Sequence, residues 1–385
     1  MMDELKAKEL VVQAGLELVK NGLIARTWGN VSCRLDDKTF VITPSGRDYE
    51  SLTSDEIVIC KIEDGSYDGD IKPSSERGVH ALVYRKRPEA NFVIHTHQLQ
   101  ASAASVLDKT EIPASLSSEG EPIPLAEYGL PSTKKLVNGV ENALERTKGR
   151  AVIMSHHGTV CFGADDRETF DRALALEIDS KNYIEKIYEE ASGKKPKNER
   201  DIYSLYLGGK AKFPDKPMTI GTSRRTENGF ILSLNGQESA YKLELKVMPP
   251  EAALHAEIYR KRKDINYITY ADSAPLLAVS TAKTPIVAIL DDFAQIEGRR
   301  ANCSKSAAPV DVVRALGKRA GVLVPRSGAL CCGASESDAH AVLLVMEKNA
   351  YAQIAASLIG KPRSLSFIDC LIMRIVYKLS YSKKK

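Results

Sequence analysis

The chain repeats itself once, at long range, and this restricts the folds open to it more than any other feature. Residues 76–91 (ERGVHALVYRKRPEAN) lie over residues 251–266 (EAALHAEIYRKRKDIN) with eight of sixteen positions identical: Glu, His, Ala, Tyr, Arg, Lys, Arg and Asn. Residues 151–164 (AVIMSHHGTVCFGA) align in the same order with residues 321–334 (GVLVPRSGALCCGA). The two offsets are nearly equal, and both are far longer than the period of a solenoid repeat. Two copies of one domain follow: residues 1–193, then a linker over 194–209, then residues 210–385, the second copy being shorter at its start. The 385-residue length agrees, since domains usually hold ~100–200 residues.

Each copy has the composition of a packed globular domain, with 43% hydrophobic and 27% charged residues, which excludes disordered and fibrous classes. A net charge of +4 is too small and too dispersed for a nucleic-acid surface. The basic runs, residues 194–197 and the tail 383–385, read as solvated linker and tail. The first ten residues carry charges throughout, against a signal peptide, and no apolar stretch approaches the ~20 residues of a membrane span. Seven scattered cysteines, an odd number with no Cys-x-x-Cys pair, argue for reduced thiols in a cytoplasmic protein.

Local pattern supplies the elements of the first copy. Leu10, Val11, Ala14 and Leu18 recur at helical spacing within 4–21, ahead of an Asn21-Gly22 stop. Residues 27–46 read as a hairpin with strands 31–35 and 39–43. Residues 75–84 read as a helix, and 91–95 and 151–154 as short buried strands. A long helix over 166–190 has the apolar stripe Phe170, Ala173, Leu176, Tyr183, Ile184 and Ile187, with a capping box in Asp165-x-x-Glu168. Residues 192–198 (SGKKPKN…) read as the start of the linker.

Four of the chain's seven histidines cluster at strand ends. His95 and His97 follow the strand NFVI, and residues two apart on an extended segment face one side, with Thr96 turned away. His156 and His157 follow the strand AVIM and precede Gly158, where a glycine lets the backbone turn sharply and aim a ring at the first pair. Three neutral imidazoles with an open position suit a catalytic zinc acting on a carbonyl. The plainer alternative is isolated core or surface histidines. The second copy has Tyr270, Asp272 and Ser327 at the matching positions, so the set is present or absent as a whole. Glu76 follows Pro73-Ser74-Ser75 at a helix start, where hydroxyls and free N–H groups favour an anion. It is either a ligand or proton shuttle beside the metal or a helix cap. Gly29-Asn30 and Ser45-Gly46 are small polar loop pairs that admit a phosphate to the backbone.

The ordered series 27–32 (TWGNVS), 42–46 (ITPSG), 73–76 (PSSE), 94–97 (IHTH) and 156–158 (HHG) resembles the class II aldolase/adducin family, over nearly all of residues 5–190. The nearest enzymatic branch is L-fuculose-1-phosphate aldolase. The resemblance implies an α/β, three-layer α-β-α fold, with a mainly antiparallel central sheet flanked by helices, here duplicated. It implies His95, His97 and His157 as ligands of Zn2+ (with Mn2+ or Co2+ as substitutes), and Glu76 as catalytic acid/base. Gly29, Asn30, Ser45, Gly46, Ser74 and Ser75 would hold the substrate phosphate. The implied activity is that of a lyase: retro-aldol cleavage of a phosphorylated ketose through a metal-stabilised enediolate, with Glu76 moving a proton at carbon. Two siblings remain as alternatives, a pentulose-5-phosphate 4-epimerase and a non-enzymatic adducin-like binding protein.

Two departures from the family pattern stand out. No tyrosine follows Ile112-Pro113, where the aldolases place one for the aldehyde, although Tyr128 matches a later family tyrosine. The second copy keeps Glu251 but has Pro249-Pro250 for the two serines, Thr222 for Asn30 and Asn235 for Ser45, and reads as a pseudo-domain without metal ligands. The family's four-fold ring further implies a homodimer in which first and second copies alternate. Its expected partner is a small sugar phosphate, with neither nucleic acid nor membrane.

Overall fold

The computed structural model describes residues 2–24, 28–116, 120–209, 211–214 and 217–380. Thr27, at the start of the first motif, Ser117–Glu119, Lys210 and the tail 383–385 lie outside these residues. The chain divides into two compact units, the first running to Lys186 and the second starting at Ile187.

The first unit is built on helix α1 (Glu4–Lys20), strands β1 (Asn30–Arg34), β2 (Thr39–Ile42) and β3 (Val58–Lys61), helix α2 (Arg77–Lys86), strand β4 (Phe92–Thr96) and helix α3 (Leu99–Ala104). Strands β5 (Glu111–Ile112) and β6 (Ile123–Ala126), helix α4 (Lys134–Glu145), strands β7 (Ala151–Met154) and β8 (Thr159–Gly163), and helix α5 (Asp166–Ser192) follow. The eight strands form one sheet in the order β3-β2-β1-β4-β8-β7-β6-β5. Every pairing is antiparallel except β6 with β7. Alternation sorts the side chains. Phe40, Ile42, Val93, Val152, Met154, Val160 and Phe162 turn to one face, where they pack with Val79, Leu82 and Val83 of α2 and Leu136 and Val140 of α4. Helix α1 packs against β1 and β2. Helix α5 sits beside α3, since the Glu177 carboxylate accepts from the backbone N–H groups of Gln100 and Ala101.

The second unit holds helix α6 (Glu199–Leu207), strands β9 (Thr222–Thr226), β10 (Gly229–Leu234) and β11 (Gln237–Lys242), helix α7 (Pro250–Lys261), strand β12 (Tyr267–Ala271) and helix α8 (Ala274–Thr281). Then come strand β13 (Ile286–Val287), helix α9 (Asp291–Ile296), strand β14 (Arg300–Ala301), helix α10 (Pro309–Leu316), strands β15 (Gly321–Val324) and β16 (Gly328–Gly333), and helices α11 (Glu336–Ser357) and α12 (Phe367–Ser380). Its main sheet runs β11-β10-β9-β12-β16-β15, the same order as the first six strands of the other sheet. The register is kept as well: His95 stands opposite Val160, and Tyr270 opposite Leu330. The α/β fold with a mainly antiparallel sheet, and its duplication, are as the sequence predicts.

Three local expectations change. Residues 199–207 of the stretch read as linker form α6, with Asn198 capping it and Ile202, Tyr203 and Leu207 buried against α8 and α11. The apolar spacing of these three residues outweighs the basic Gly/Pro-containing run before them. The capping box at α5 is half made. Asp165 Oδ1 accepts from Glu168 N, but the Glu168 carboxylate accepts from Ala164 N and pairs with Arg150 and Arg172, which draw it off the reciprocal bond. Helix α2 starts at Arg77, two residues later than its pattern predicts, with Glu76 as N-cap. All seven cysteines are free, and burial pushes the thiols of Cys33, Cys60, Cys161 and Cys332 up to about 12, which leaves them unreactive near neutral pH. Among the described residues no helix is long and apolar enough to cross a membrane.

Candidate metal centre

The site lies where the N-terminus of α2 meets the end of β4. Asn30 on β1 stands directly opposite His95 on β4, and Ser32 opposite Val93, so these side chains share the face covered by α2. Glu76 and His80 lie one turn apart on that helix and reach the same face.

The ligand-bearing atoms of His95, His97 and His157 all lie within 4.8 Å of one another. The rings of His95 and His157 stack at 5.0 Å, and His97 sits edge-on to both. His95 Nδ1 donates to the Thr159 carbonyl at 2.8 Å, which turns Nε2 into the cluster. That Nε2 faces His97 Nε2 at 2.9 Å. Thr96 turns away, as predicted, and donates to Gln98 Oε1.

Glu76 makes no capping bond to the helix. Its two carboxylate oxygens go instead to His95 Nε2 at 3.0 Å and His157 Nε2 at 2.9 Å. Glu76 as a residue is 6% exposed. Burial raises its pKa, but the positive charge of His157 and then His95 outweighs burial and holds it well below the usual carboxylate range. A buried carboxylate touching two imidazoles, with a third beside them, is a donor set that a divalent cation fits: three nitrogen ligands and an adjoining anionic oxygen.

The turn carrying His157 differs from its sequence reading. The left-handed residue is His156, at φ 61°, and Gly158 is absent from the positive-φ positions. Gly158 is needed for space, since a Cβ there would lie 2.2 Å from the Thr96 carbonyl oxygen. His156 turns its ring edge-on to Tyr128 instead of joining the cluster. The second copy shares the left-handed residue, Arg326 at φ 62°, and the close approach of its glycine, Gly328 against Ala271, but Gly328 is itself at φ 91°.

Of the six residues expected around a phosphate, Asn30 opens β1 and the other five fall on three adjoining segments stitched together by backbone bonds. Thr43 N donates to Val31 O, Ser74 N to Thr43 O and Ser45 N to Lys72 O. Gly29 has φ 104° and approaches the His95 carbonyl too closely for a side chain, which is why glycine is needed there. Ser74 Oγ accepts from Glu76 N, and Ser75 is half-buried beside it. Gly46, at φ 70°, turns the loop after Ser45.

Sequence reasoning missed a buried chain of polar groups behind these loops. Tyr84 OH and His80 Nδ1 both contact Ser32 Oγ, at 2.8 and 2.6 Å, and His80 Nε2 contacts Asn30 Oδ1. An amide oxygen only accepts, so Nε2 carries the proton and Nδ1 accepts from Ser32. Burial, then the charge of His95, pushes His80 down to about 3, so the ring stays neutral. With its oxygen held, the Asn30 amide has its NH2 to offer to an anion. His255, Ser223 and Tyr259 repeat the chain in the second unit, ending on the Ile220 carbonyl, and burial pushes His255 down to about 4. The signal was present in the repeat, because His80 and Tyr84 are among its identical positions. In the second unit Tyr270 donates to the Met218 carbonyl and Asp272 is exposed. The described residues hold no second cluster of metal-ligand type.

Known proteins are similar to this chain in sequence. L-fuculose phosphate aldolase of Escherichia coli strain K12 is 33% identical over 187 residues, covering 48% of this chain and 85% of that one. The 5-deoxy-D-ribulose 1-phosphate aldolase of Bacillus thuringiensis is 30% identical over 185 residues, covering 47% and 85%. The 3-oxo-tetronate 4-phosphate decarboxylase of Haemophilus influenzae is 29% identical over 191 residues, covering 48% and 89%. Each match is about as long as one copy. The family profile of the Class II Aldolase and Adducin N-terminal domain matches twice, over residues 9–184 and 222–354, and the chain therefore belongs to that family as a tandem pair.

Proposed function

We propose that residues 1–193 are a metal-dependent aldehyde-lyase that cleaves a phosphorylated ketose, and that residues 210–385 are its metal-free second copy. The observation that carries this reading is the Glu76 carboxylate lying between His95 and His157 within the three-histidine group. His95, His97 and His157 would hold a divalent cation, zinc by the preference of imidazole donors, and the cation would polarise the ketose carbonyl. Asn30, oriented by His80, and the loops around Ser45 and Ser74 bind the phosphate and fix the sugar. In cleavage the ionised Glu76 would take up the proton released by the hydroxyl that becomes the aldehyde and pass it to the carbon that loses the aldehyde, and in condensation it would carry the proton back. Burial of the pair excludes competing water. In the same reading two chains form a ring of alternating copies, about 84 kDa from a 42.2 kDa chain.

Incubation with ketose 1-phosphates, with the released aldehyde trapped by a coupled reductase, tests the reaction. Aldehyde release supports the lyase. Epimerised pentulose phosphate without free aldehyde, or carbon dioxide from a 3-oxo acid phosphate, would replace it with a sibling reaction.

The two buried relays supply an internal comparison. His80→Leu and His255→Leu should each cost about 1–3 kcal/mol, since both strand buried hydroxyls. Only His80→Leu should raise KM, roughly tenfold, through loss of one oriented hydrogen bond to the phosphate. Thermal melts and steady-state kinetics of both variants check this, and an equal KM for the two would remove Asn30 from the binding site.

A further inference from the structure

Helix α12 lies beyond residue 354, where the family profile ends, and no sequence motif accounts for it. Its inner side packs on α9, with Cys370 and Met373 buried and Arg374 donating to the Gln295 carbonyl. Its outer side carries Ile368, Leu371, Ile372, Ile375, Val376 and Leu379, each 43–65% exposed. Residues three and four apart are neighbours on a helix, so these six form one continuous stripe. Together they leave roughly 600 Å² of apolar surface in water, the upper end of what a monomer shows.

We propose that this stripe is an interface between copies of the chain, α12 packing on α12 of a second molecule about a two-fold axis. The stripe presents two i±4 ridges, 368/372/376 and 371/375/379, and identical ridges of this kind interlock with one another. A two-fold contact requires a patch complementary to itself, and an apolar face bare of charge meets that condition. The exposed area approaches the ~800 Å² that each partner gives to a standard interface. A lipid surface is the competing occupant. It would want a face rich in basic residues along the stripe; the run Lys383–Lys385 follows the helix, but the helix itself offers one exposed basic residue, Lys378, with Asp369 beside the stripe and Arg374 turned inward.

Light scattering on the full chain and on Leu371→Glu/Ile375→Glu reads the association directly. The variant should have a smaller particle mass than the wild type, with unchanged circular dichroism. The centre of a two-fold face meets its own counterpart whichever way the helices run, so Ile372→Cys should form a disulfide-linked pair of chains on mild oxidation, which the wild type does not. Equal masses for variant and wild type, or no cross-link in Ile372→Cys, would overturn the proposal. So would co-sedimentation of the wild type with phosphatidylglycerol/phosphatidylcholine vesicles that the glutamate variant loses, since the stripe would then be a membrane contact.

Discussion

His95→Ala combined with His97→Ala is expected to lower bound metal from about one equivalent per chain to background and to abolish turnover, with the fold intact. The two rings stand at the end of β4, and the His95 ring donates to the Thr159 carbonyl. Their removal therefore leaves the hydrophobic core below α2 untouched. Mass spectrometric metal analysis of untagged protein gives the stoichiometry, and circular dichroism the fold. One equivalent, not two, is expected because the second unit has Tyr270, Asp272 and Ser327 at the corresponding positions. Two equivalents in the wild type, or metal retained by the double variant, would move the site elsewhere.

Glu76→Gln should lose at least ~100-fold in turnover while keeping metal and substrate binding, the lower range for removing a general acid/base. Glutamine keeps the shape and can still meet one imidazole nitrogen, but it cannot exchange a proton with carbon. Glu251→Gln, at the equivalent turn of α7, should leave turnover unchanged. Single-turnover kinetics on the pair decides the matter. Near-normal turnover in Glu76→Gln would make this carboxylate a structural partner of His95 and His157 only.

Much of the fold was legible because the repeat and the strand patterns are properties of local sequence. Residues 151–154 form the strand their apolar run predicts, and Phe170, Ala173, Leu176, Ile184 and Ile187 are the buried stripe of α5. The residues proposed for the site stand out in sequence because they fall at or near strand ends and helix starts, where polar groups are set apart from the apolar runs. What sequence left open depends on contacts between distant segments. Nothing in the pattern shows that His156 takes the left-handed conformation, or that Gly158 is needed because the Thr96 carbonyl lies against it. The relay behind Asn30 joins residues on β1 and α2 some fifty positions apart, and it becomes visible only when the register of β1 on β4 is known. The parallel pairing of β6 with β7 is likewise set by the path of the chain through α4.

The shared register of the two sheets makes this protein its own blank. Tyr270 occupies the sheet position that His95 holds, and Arg326 takes the left-handed conformation of His156, although Gly328, at φ 91°, departs from Gly158. The two halves thus differ at the would-be centre in side chains far more than in backbone. The fold of the second half stands without histidines at these three positions. Installing histidines at 270, 272 and 327 would ask how much of a metal centre a correctly spaced scaffold provides before its surroundings are rebuilt, with the reference half present in every molecule of the sample.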